Sequence, residues 1–174
     1  MRDLPIAAVL ELGAGQSTLL LDKARPALGA GFAVRTIEHD AFWAQAVAQN
    51  VSHEVVQAPL VPLQIGGRTI AYYDLAQVAG DAQRFDLVIV DGPPAATGDT
   101  RYSRTGCVAV LERCLAEDFV VIVDDAERAG EAAAVDACRA LLHRLGRGFS
   151  ETAVTAAKRQ HVFASDRFKA AAFF

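Results

Sequence analysis

The stretch "AAVLELGAGQSTLLL", from Ala7 to Leu21, constrains the possible folds of this chain more than any other segment does. An apolar run ends at two closely spaced glycines, Gly13 and Gly15, and a run compatible with a helix follows them. This order predicts a buried strand, a tight turn and a helix. Because such a turn faces the N-terminus of the next helix, it is a typical place for a nucleotide-like cofactor.

Three further apolar runs predict buried strands, and none of them alternates cleanly with polar residues, as is typical of parallel strands covered on both faces. Helical patterns separate the runs, so the sequence predicts right-handed βαβ units in a doubly wound, Rossmann-like α/β sheet. The predicted strands are Ala7–Leu12, Ala33–Glu38, Phe85–Asp91 and Phe119–Asp124, with a weaker one in "HEVVQAP". The predicted helices are Ser17–Leu28 with Ser17 as N-cap, Asp40–Asn50, Thr105–Ala116 and Ala129–Leu145.

The remaining segments are less regular. "FSETAVTAA" and "RQHVFAS" follow one another without a helix and predict a hairpin at one edge of the sheet. The segment "PLVPLQIGGRTIAYYDL" predicts a loop over the sheet that contains a short hairpin at Gly66–Gly67. With 174 residues and no linker or repeat, the chain is predicted to form one domain over residues 1–174. The apolar tail, with Phe168, Phe173 and Phe174, is expected to dock on its own domain or on a second copy, which makes a homodimer a candidate.

Composition argues against several classes of partner. The net charge of −4 and the pI of about 5.5 leave no broad basic surface, so no nucleic-acid partner is expected. No apolar run reaches the roughly 18 residues of a membrane span, so no membrane partner is expected either. The three cysteines are scattered and are predicted to be reduced core thiols. Together with the lack of a signal-peptide pattern, they indicate a cytoplasmic protein.

The residues around the glycine turn indicate the kind of cofactor. Glu11 places a carboxylate where the pyrophosphate of a dinucleotide would be repelled, and Thr18 stands where a dinucleotide-binding pattern has its third glycine. S-adenosylmethionine (SAM), which carries an ammonium and a sulfonium group, is therefore favoured over NAD. Glu38, at the end of the second predicted strand, can accept hydrogen bonds from both hydroxyls of a ribose. The alternative is that Glu38 caps the helix that starts near Asp40.

Four segments, "LELGAGQST", "TIEHDAFW", "FDLVIVDGPP" and "VVIVDDAER", together resemble the class I SAM-dependent methyltransferases, and more narrowly a bacterial branch with ExGxGxST, DGPP and DDAxR motifs. The resemblance covers nearly the whole chain. It implies a seven-stranded sheet in the order 3-2-1-4-5-7-6, mostly parallel with a reversed strand in the C-terminal hairpin. It also implies cofactor-binding roles for Glu11, Gly13, Ala14 and Gly15 at the amino-acid part, Glu38 at the ribose and His39 beside the adenine, whereas Gln57–Leu60 lacks the acidic adenine contact of many relatives.

Acidic residues follow two of the predicted strands. Asp91 ends the fourth strand, and Asp124 and Asp125 end the fifth, so their carboxylates should converge at one edge of the sheet. Such carboxylates repel one another unless a cation or a proton shares the site, and oxygen ligands of this kind suit Mg²⁺ or Ca²⁺. The arrangement resembles the divalent-metal-dependent O-methyltransferases, although Asp125 stands where an asparagine is usual. The alternative is that Asp124 or Asp125 caps a helix and Asp91 contacts the amine of the cofactor.

These observations lead to the hypothesis of a methyltransferase that acts on a small polar acceptor. O-methylation of a sugar is suggested by resemblance alone, since the "VDGPP" element recurs in relatives linked to glycan modification. Asp91 is the candidate general base, and Arg101 is a candidate clamp for a substrate carboxylate or phosphate. Arg128 could act likewise or could pair with Asp125. The alternatives are a SAM-binding interaction protein without catalysis and an NAD-dependent oxidoreductase.

Overall fold

The computed structural model describes residues 4–27, 31–78, 80, 82–95 and 98–173 of the chain. Helices and strands alternate along most of this length. In chain order the elements are β1 (Ala8–Leu12), α1 (Gln16–Ala27), β2 (Ala33–Glu38), α2 (Ala41–Ala48), β3 (Glu54–Gln57), β4 (Leu60–Ile65), β5 (Arg68–Tyr73), α3 (Leu75–Val78), β6 (Phe85–Val90), α4 (Cys107–Cys114), β7 (Leu115–Val123), α5 (Ala129–Arg144), β8 (Phe149–Thr155) and β9 (Arg159–Ser165). Short 3₁₀ helices cover Gly98–Thr100, Ser103–Gly106 and Asp166–Ala172.

Seven strands form one sheet in the order β3-β2-β1-β6-β7-β9-β8. The first five of these are parallel to one another, whereas β9 runs antiparallel to both β7 and β8. Strands β4 and β5 pair only with each other and form a separate hairpin. When that hairpin is left out of the numbering, the order is the predicted 3-2-1-4-5-7-6. The predicted doubly wound α/β fold with a reversed C-terminal strand is therefore confirmed.

Both faces of the sheet are buried, as the unbroken apolar runs indicated. Leu10 and Leu12 of β1 belong to a core that also includes side chains of α4, α5 and the β4–β5 hairpin. Val9 points to the opposite face, into a core shared with Leu21 of α1 and Phe168 of the last 3₁₀ helix. Covering both faces directs ligands to the ends of the strands, where the helices leave the sheet edge open.

Several predicted boundaries were wrong. Helix α1 begins at Gln16, so Ser17 lies inside the helix and is not its N-cap, while Leu28 lies outside the described residues. The predicted helix Thr105–Ala116 is a 3₁₀ helix followed by α4, and it ends at Cys114. Strand β7 starts at Leu115 instead of Phe119, because Leu115 pairs with Phe85 ahead of an irregularity in the ladder.

The segment between β3 and α3 is more regular than predicted. It was expected to loop over the sheet with a short hairpin at Gly66–Gly67. The hairpin is confirmed, and its strands β4 and β5 take up most of the segment. Both glycines have positive φ, 55° and 79°, which is the backbone that a two-residue hairpin turn requires. The hairpin ends in Tyr72 and Tyr73, whose side chains are buried.

The tail and the cysteines also behave largely as expected. Phe168 is buried against its own domain, whereas Phe173 is exposed and Phe174 lies outside the described residues. All three cysteines are buried and unbridged, which confirms the prediction of reduced core thiols. Among the described helices, none combines the length and the apolar character that crossing a membrane would require.

Candidate active site

The glycine turn joins the ends of three neighbouring strands. The Gly13 N–H donates to the carbonyl of Ile37 (2.8 Å), and the Asp91 N–H donates to the carbonyl of Leu12 (2.9 Å). Gly13 has a φ of 101°, and a Cβ there would lie 2.9 Å from the backbone of Asp91 and of Gly92. A side chain at this position would therefore be strained in conformation and would also collide with β6. The turn holds β2, β1 and β6 in register at the edge where ligands bind.

Glu38 is fixed by three backbone donors at the end of β2. Its Oε2 accepts from the Ala14 N–H (3.0 Å), and its Oε1 accepts from the N–H groups of His39 (2.8 Å) and Asp40 (2.9 Å). The alternative, that Glu38 caps the next helix, is wrong. Asp40 is the N-cap of α2, since its side chain accepts from the Trp43 N–H at 2.7 Å. Glu38 instead ties the glycine turn to the end of β2.

Glu11 lies beneath the turn and is fully buried. Its Oε2 accepts hydrogen bonds from the hydroxyls of Thr18 (2.6 Å) and Thr36 (2.9 Å), and the Thr18 hydroxyl also accepts from the Gly15 N–H (2.8 Å). Burial raises the pKa of the Glu11 carboxyl, and these hydrogen bonds oppose that rise. Glu11 therefore stabilises the glycine turn through hydrogen bonds inside the fold. Its predicted contact with a cofactor stays a prediction.

A cleft of about 510 Å³ opens at this edge of the sheet. That size is within the usual range for small-molecule sites. It is lined by five of the seven residues predicted to bind the cofactor, namely Gly13, Ala14, Glu38, His39 and Asp91. Of the other two, Glu11 is buried below the turn, and Gly15 borders a small apolar hollow beside Trp43.

Four large side chains also line the cleft, and sequence reasoning assigned no role to two of them, Trp43 and Arg104. Trp43 and Tyr73 contribute aromatic surface, and Arg104 and Arg128 contribute positive charge. Arg101, the predicted clamp, is exposed on the loop that carries Arg104, and its backbone carbonyl packs against Gly130. The structure therefore places Arg104, three residues further along, in the position that faces the cleft. No pattern in "TRYSRTG" indicates which of its two arginines lines the cleft.

The predicted acidic cluster forms beside the cleft. Asp91, Asp124 and Asp125 each place a carboxylate oxygen within 4.8 Å of the others. Arg104, which is almost completely buried, lies between them, with nitrogens 3.3 Å from Asp91 and 3.6 Å from both Asp125 and Glu131. Its guanidinium also donates to three backbone carbonyls, those of Asp91 (2.8 Å), Pro93 (3.2 Å) and Asp124 (3.3 Å).

Two half-exposed cations complete the cluster. Arg128 lies 2.9 Å from Asp125, which confirms the predicted pair. Lys158, from the turn between β8 and β9, reaches Asp124 (3.1 Å) and Asp125 (2.9 Å) with its ammonium. Its hydrogen bonds to these two carboxylates raise the pKa of Lys158. Four carboxylates, with Glu131 included, thus face three cations of the protein itself.

The environments of the acids differ in a way that matters for proton transfer. Burial raises the pKa of Asp91, and Arg104 only partly offsets this. Burial also acts on Asp124, but hydrogen bonds from Gln160 and Lys158 outweigh it, so the pKa of Asp124 is lowered. Of these two acids, Asp91 is therefore the one whose proton affinity is increased, as a general base requires.

Comparison with solved structures shows the same architecture in methyltransferases. A methyltransferase from Pyrococcus furiosus superposes with a TM-score of 0.57 at 15% identity, covering 97% of this chain and 77% of its own. An O-methyltransferase from Bacillus cereus in complex with S-adenosylhomocysteine (SAH) gives 0.59 at 16%, covering 95% and 76%. The plantazolicin methyltransferase BpumL, also with SAH, gives 0.53 at 8%, covering 91% and 75%.

These identities are too low to show more than the fold. No protein-family model matches the sequence, and no curated protein matches it. The chain has the Rossmann-like fold of these methyltransferases, with its cleft at the carboxyl ends of β1, β2 and β6.

Proposed function

We propose that this protein is a SAM-dependent methyltransferase that methylates an oxygen of a small polar acceptor, with a sugar hydroxyl as the leading candidate. The observation that carries the proposal is the cleft itself, which is lined by the fixed carboxylate of Glu38 and by the half-buried Asp91. The fold likeness to methyltransferases in complex with SAH supports the choice of cofactor, and the likeness to an O-methyltransferase supports oxygen as the acceptor atom.

The residues of the cleft fit such a cofactor. Glu38 is held by backbone donors so that it can accept hydrogen bonds from ribose hydroxyls. Gly13 and Gly92 pack backbone against backbone, since a Cβ on Gly92 would lie 2.8 Å from the Gly13 Cα. The two glycines therefore let the backbone segments that follow β1 and β6 pack against each other, and both segments line the cleft.

The chain's own residues would orient the acceptor and take its proton. Bound SAM would supply a methyl group on a positively charged sulfur, which is reactive enough to need no protein nucleophile. Asp91 would accept the hydroxyl proton while the acceptor oxygen bonds to the methyl carbon and the sulfur–carbon bond breaks, its electron pair remaining on sulfur in the product SAH. Arg128, which lines the cleft and is about half exposed, would offer hydrogen bonds to further acceptor oxygens. Positioning of this kind can supply much of the rate.

Asp91→Asn should separate catalysis from cofactor binding. The amide keeps the shape of the side chain but cannot take a proton, so we expect turnover to fall by about 10²- to 10⁴-fold while SAH affinity changes only a few-fold. Release of SAH during incubation with SAM and a panel of sugars, phenols and amines would measure this. Asp118→Asn, which alters an exposed pair with Arg167, is the matched control. Binding of SAH without turnover on any acceptor would favour the non-catalytic alternative.

We further infer that the acidic cluster does not need a divalent ion. The geometry brings three carboxylates together, as a Mg²⁺ site would require, but Lys158 and Arg104 already supply the compensating positive charge. A dication entering beside the Lys158 ammonium would be repelled by it, because both would approach the same oxygens of Asp124 and Asp125. The predicted Mg²⁺ site therefore fits these residues poorly while Lys158 is present.

Lys158→Met tests this inference. The wild-type protein should show no Mn²⁺ site tighter than about 1 mM, whereas the variant should gain one, because the oxygens of Asp124 and Asp125 that the ammonium contacts become free to bind a metal. Titration followed by electron paramagnetic resonance of free Mn²⁺ would measure both. Lys169→Met, on the last 3₁₀ helix, is the control and should behave like the wild type. Tight Mn²⁺ binding by the wild type would refute the inference.

A further inference from the structure

Two adjacent tyrosines at the end of β5 differ in what their hydroxyls face. The rings of Tyr72 and Tyr73 pack edge to face, with centroids 5.2 Å apart and planes at 70°. Both side chains are almost fully buried, and neither hydroxyl has a hydrogen-bond partner among the described residues. Although the rings contact each other, the two side chains have different neighbours.

Tyr72 is enclosed by the protein interior. Its ring packs against Gly106, where even a Cβ would collide with it, and burial raises the pKa of Tyr72 well above its ordinary value. Tyr73 lines the cleft, and its hydroxyl abuts Gly92, so that a Cβ on Gly92 would collide with this oxygen. Of the two tyrosines, only Tyr73 therefore borders the cleft.

An unpaired buried hydroxyl destabilises the free protein, since it has lost its hydrogen bonds to water. Burial raises the pKa of Tyr73, so its hydroxyl keeps its proton and remains a donor at neutral pH. The carboxylates of Glu38 and Asp91 also border the cleft. A neutral donor near two carboxylates suits an oxygen atom of a ligand. It attracts this oxygen where the two carboxylates would repel it, and it forms no ion pair with them.

We propose that Tyr73 is a cofactor-binding residue whose hydroxyl donates a hydrogen bond to an oxygen of SAM. This inference rests on the proposed function and adds to it a residue supplied by the β4–β5 hairpin. The cofactor has two kinds of oxygen that could accept this bond, namely the carboxylate of its amino-acid part and the oxygens of its ribose. The bond would satisfy in the complex a hydroxyl that is unpaired in the free protein.

The test compares Tyr73→Phe with Tyr72→Phe. Both variants remove an unpaired buried hydroxyl, so the melting temperature of the free protein should be unchanged or higher in each. Calorimetric titration with SAH should separate them. Tyr73→Phe is expected to bind about 3- to 10-fold more weakly than the wild type, while Tyr72→Phe should bind equally well. If Tyr73 had only a structural role, Tyr73→Phe would not raise the melting temperature and at the same time weaken SAH binding.

A second titration with 5′-methylthioadenosine, which lacks the amino-acid part, identifies the accepting oxygen. If the ribose accepts, Tyr73→Phe weakens both ligands alike, and if the carboxylate accepts, it weakens only SAH. Equal SAH affinity in Tyr73→Phe and the wild type would overturn the role of Tyr73 alone. Equal weakening in both tyrosine variants would also overturn it, because the effect would then be general to the hairpin. If the wild type itself does not bind SAH, the proposed function fails as well.

Discussion

Replacing Arg104 with methionine is expected to lower the free energy of unfolding at pH 7.5 by about 3–5 kcal/mol, the usual cost of removing one partner from a buried ionic group. The guanidinium lies among Asp91, Asp125 and Glu131, and it also donates to three backbone carbonyls. Methionine has a similar length but offers no donor. The variant would leave buried carboxylates facing one another and buried carbonyls without their hydrogen bonds.

The loss in the free energy of unfolding of Arg104→Met should depend on pH. Burial raises the pKa of Asp91 above its ordinary value of 3.8, and Arg104 is the group that most opposes this rise. Without Arg104 the pKa of Asp91 in the folded protein climbs further. A carboxyl with a raised folded-state pKa stabilises the fold while it is protonated, and this stabilisation is lost as the pH rises through that pKa. The deficit of the variant should therefore be smaller at pH 5 than at pH 7.5.

Urea unfolding at the two pH values would measure both effects. Arg144→Met is the control, because Arg144 pairs with Glu112 on the surface, where removing a salt bridge should produce no measurable change. Arg104→Lys, which keeps the charge but has fewer donors, should fall between the wild type and the methionine variant. An Arg104→Met protein as stable as the wild type at pH 7.5 would show that the cluster does not depend on this side chain.

Glu38→Gln is expected to weaken SAH binding by about 10- to 100-fold, which corresponds to the loss of a hydrogen bond that involves a charged group. The two oxygens of Glu38 accept from three backbone N–H groups, those of Ala14, His39 and Asp40. A glutamine turns its own NH₂ group toward at least one of these donors, so the glycine turn would shift. It would also lose the negative charge that is proposed to accept the ribose hydroxyls.

Calorimetric titration with SAH would measure the change in affinity. Glu54→Gln is a matched control, because Glu54 also lies in this half of the sheet but pairs with Arg35 near the protein surface, and its variant should bind SAH as the wild type does. A Glu38→Gln protein with unchanged affinity would contradict both the ribose contact and the role of Glu38 in holding the turn.

The parallel strands could be predicted because their signals are local, whereas their order was expected only from the resemblance to known methyltransferases. Each strand is a short apolar run, and Gly13 and Gly15 mark the crossing from β1 to α1. The start of β7 could not be predicted, because Leu115 continues a helical pattern and becomes a strand residue only by pairing with Phe85, 30 positions away. Tertiary pairing overrode local propensity at this position.

Only part of the site could be predicted from such local signals. Glu38 and Asp91 follow strands whose ends must meet, so their proximity follows from the topology of the sheet. Lys158 lies in a hairpin turn, and only the antiparallel pairing of β9 with β7 brings it over Asp124 and Asp125. Tyr73 was part of a segment predicted as a loop, so neither its burial nor its unpaired hydroxyl had a sequence signal.

The single tryptophan of the chain stands at the rim of the cleft. The indole N–H of Trp43 donates to the carbonyl of Ala14 (2.9 Å), so the ring is fastened to the glycine turn, and its side chain is nonetheless about half exposed to solvent. One face of the indole borders the cleft and another borders the apolar hollow next to Gly15. All tryptophan fluorescence of this molecule therefore originates at the entrance to its proposed active site.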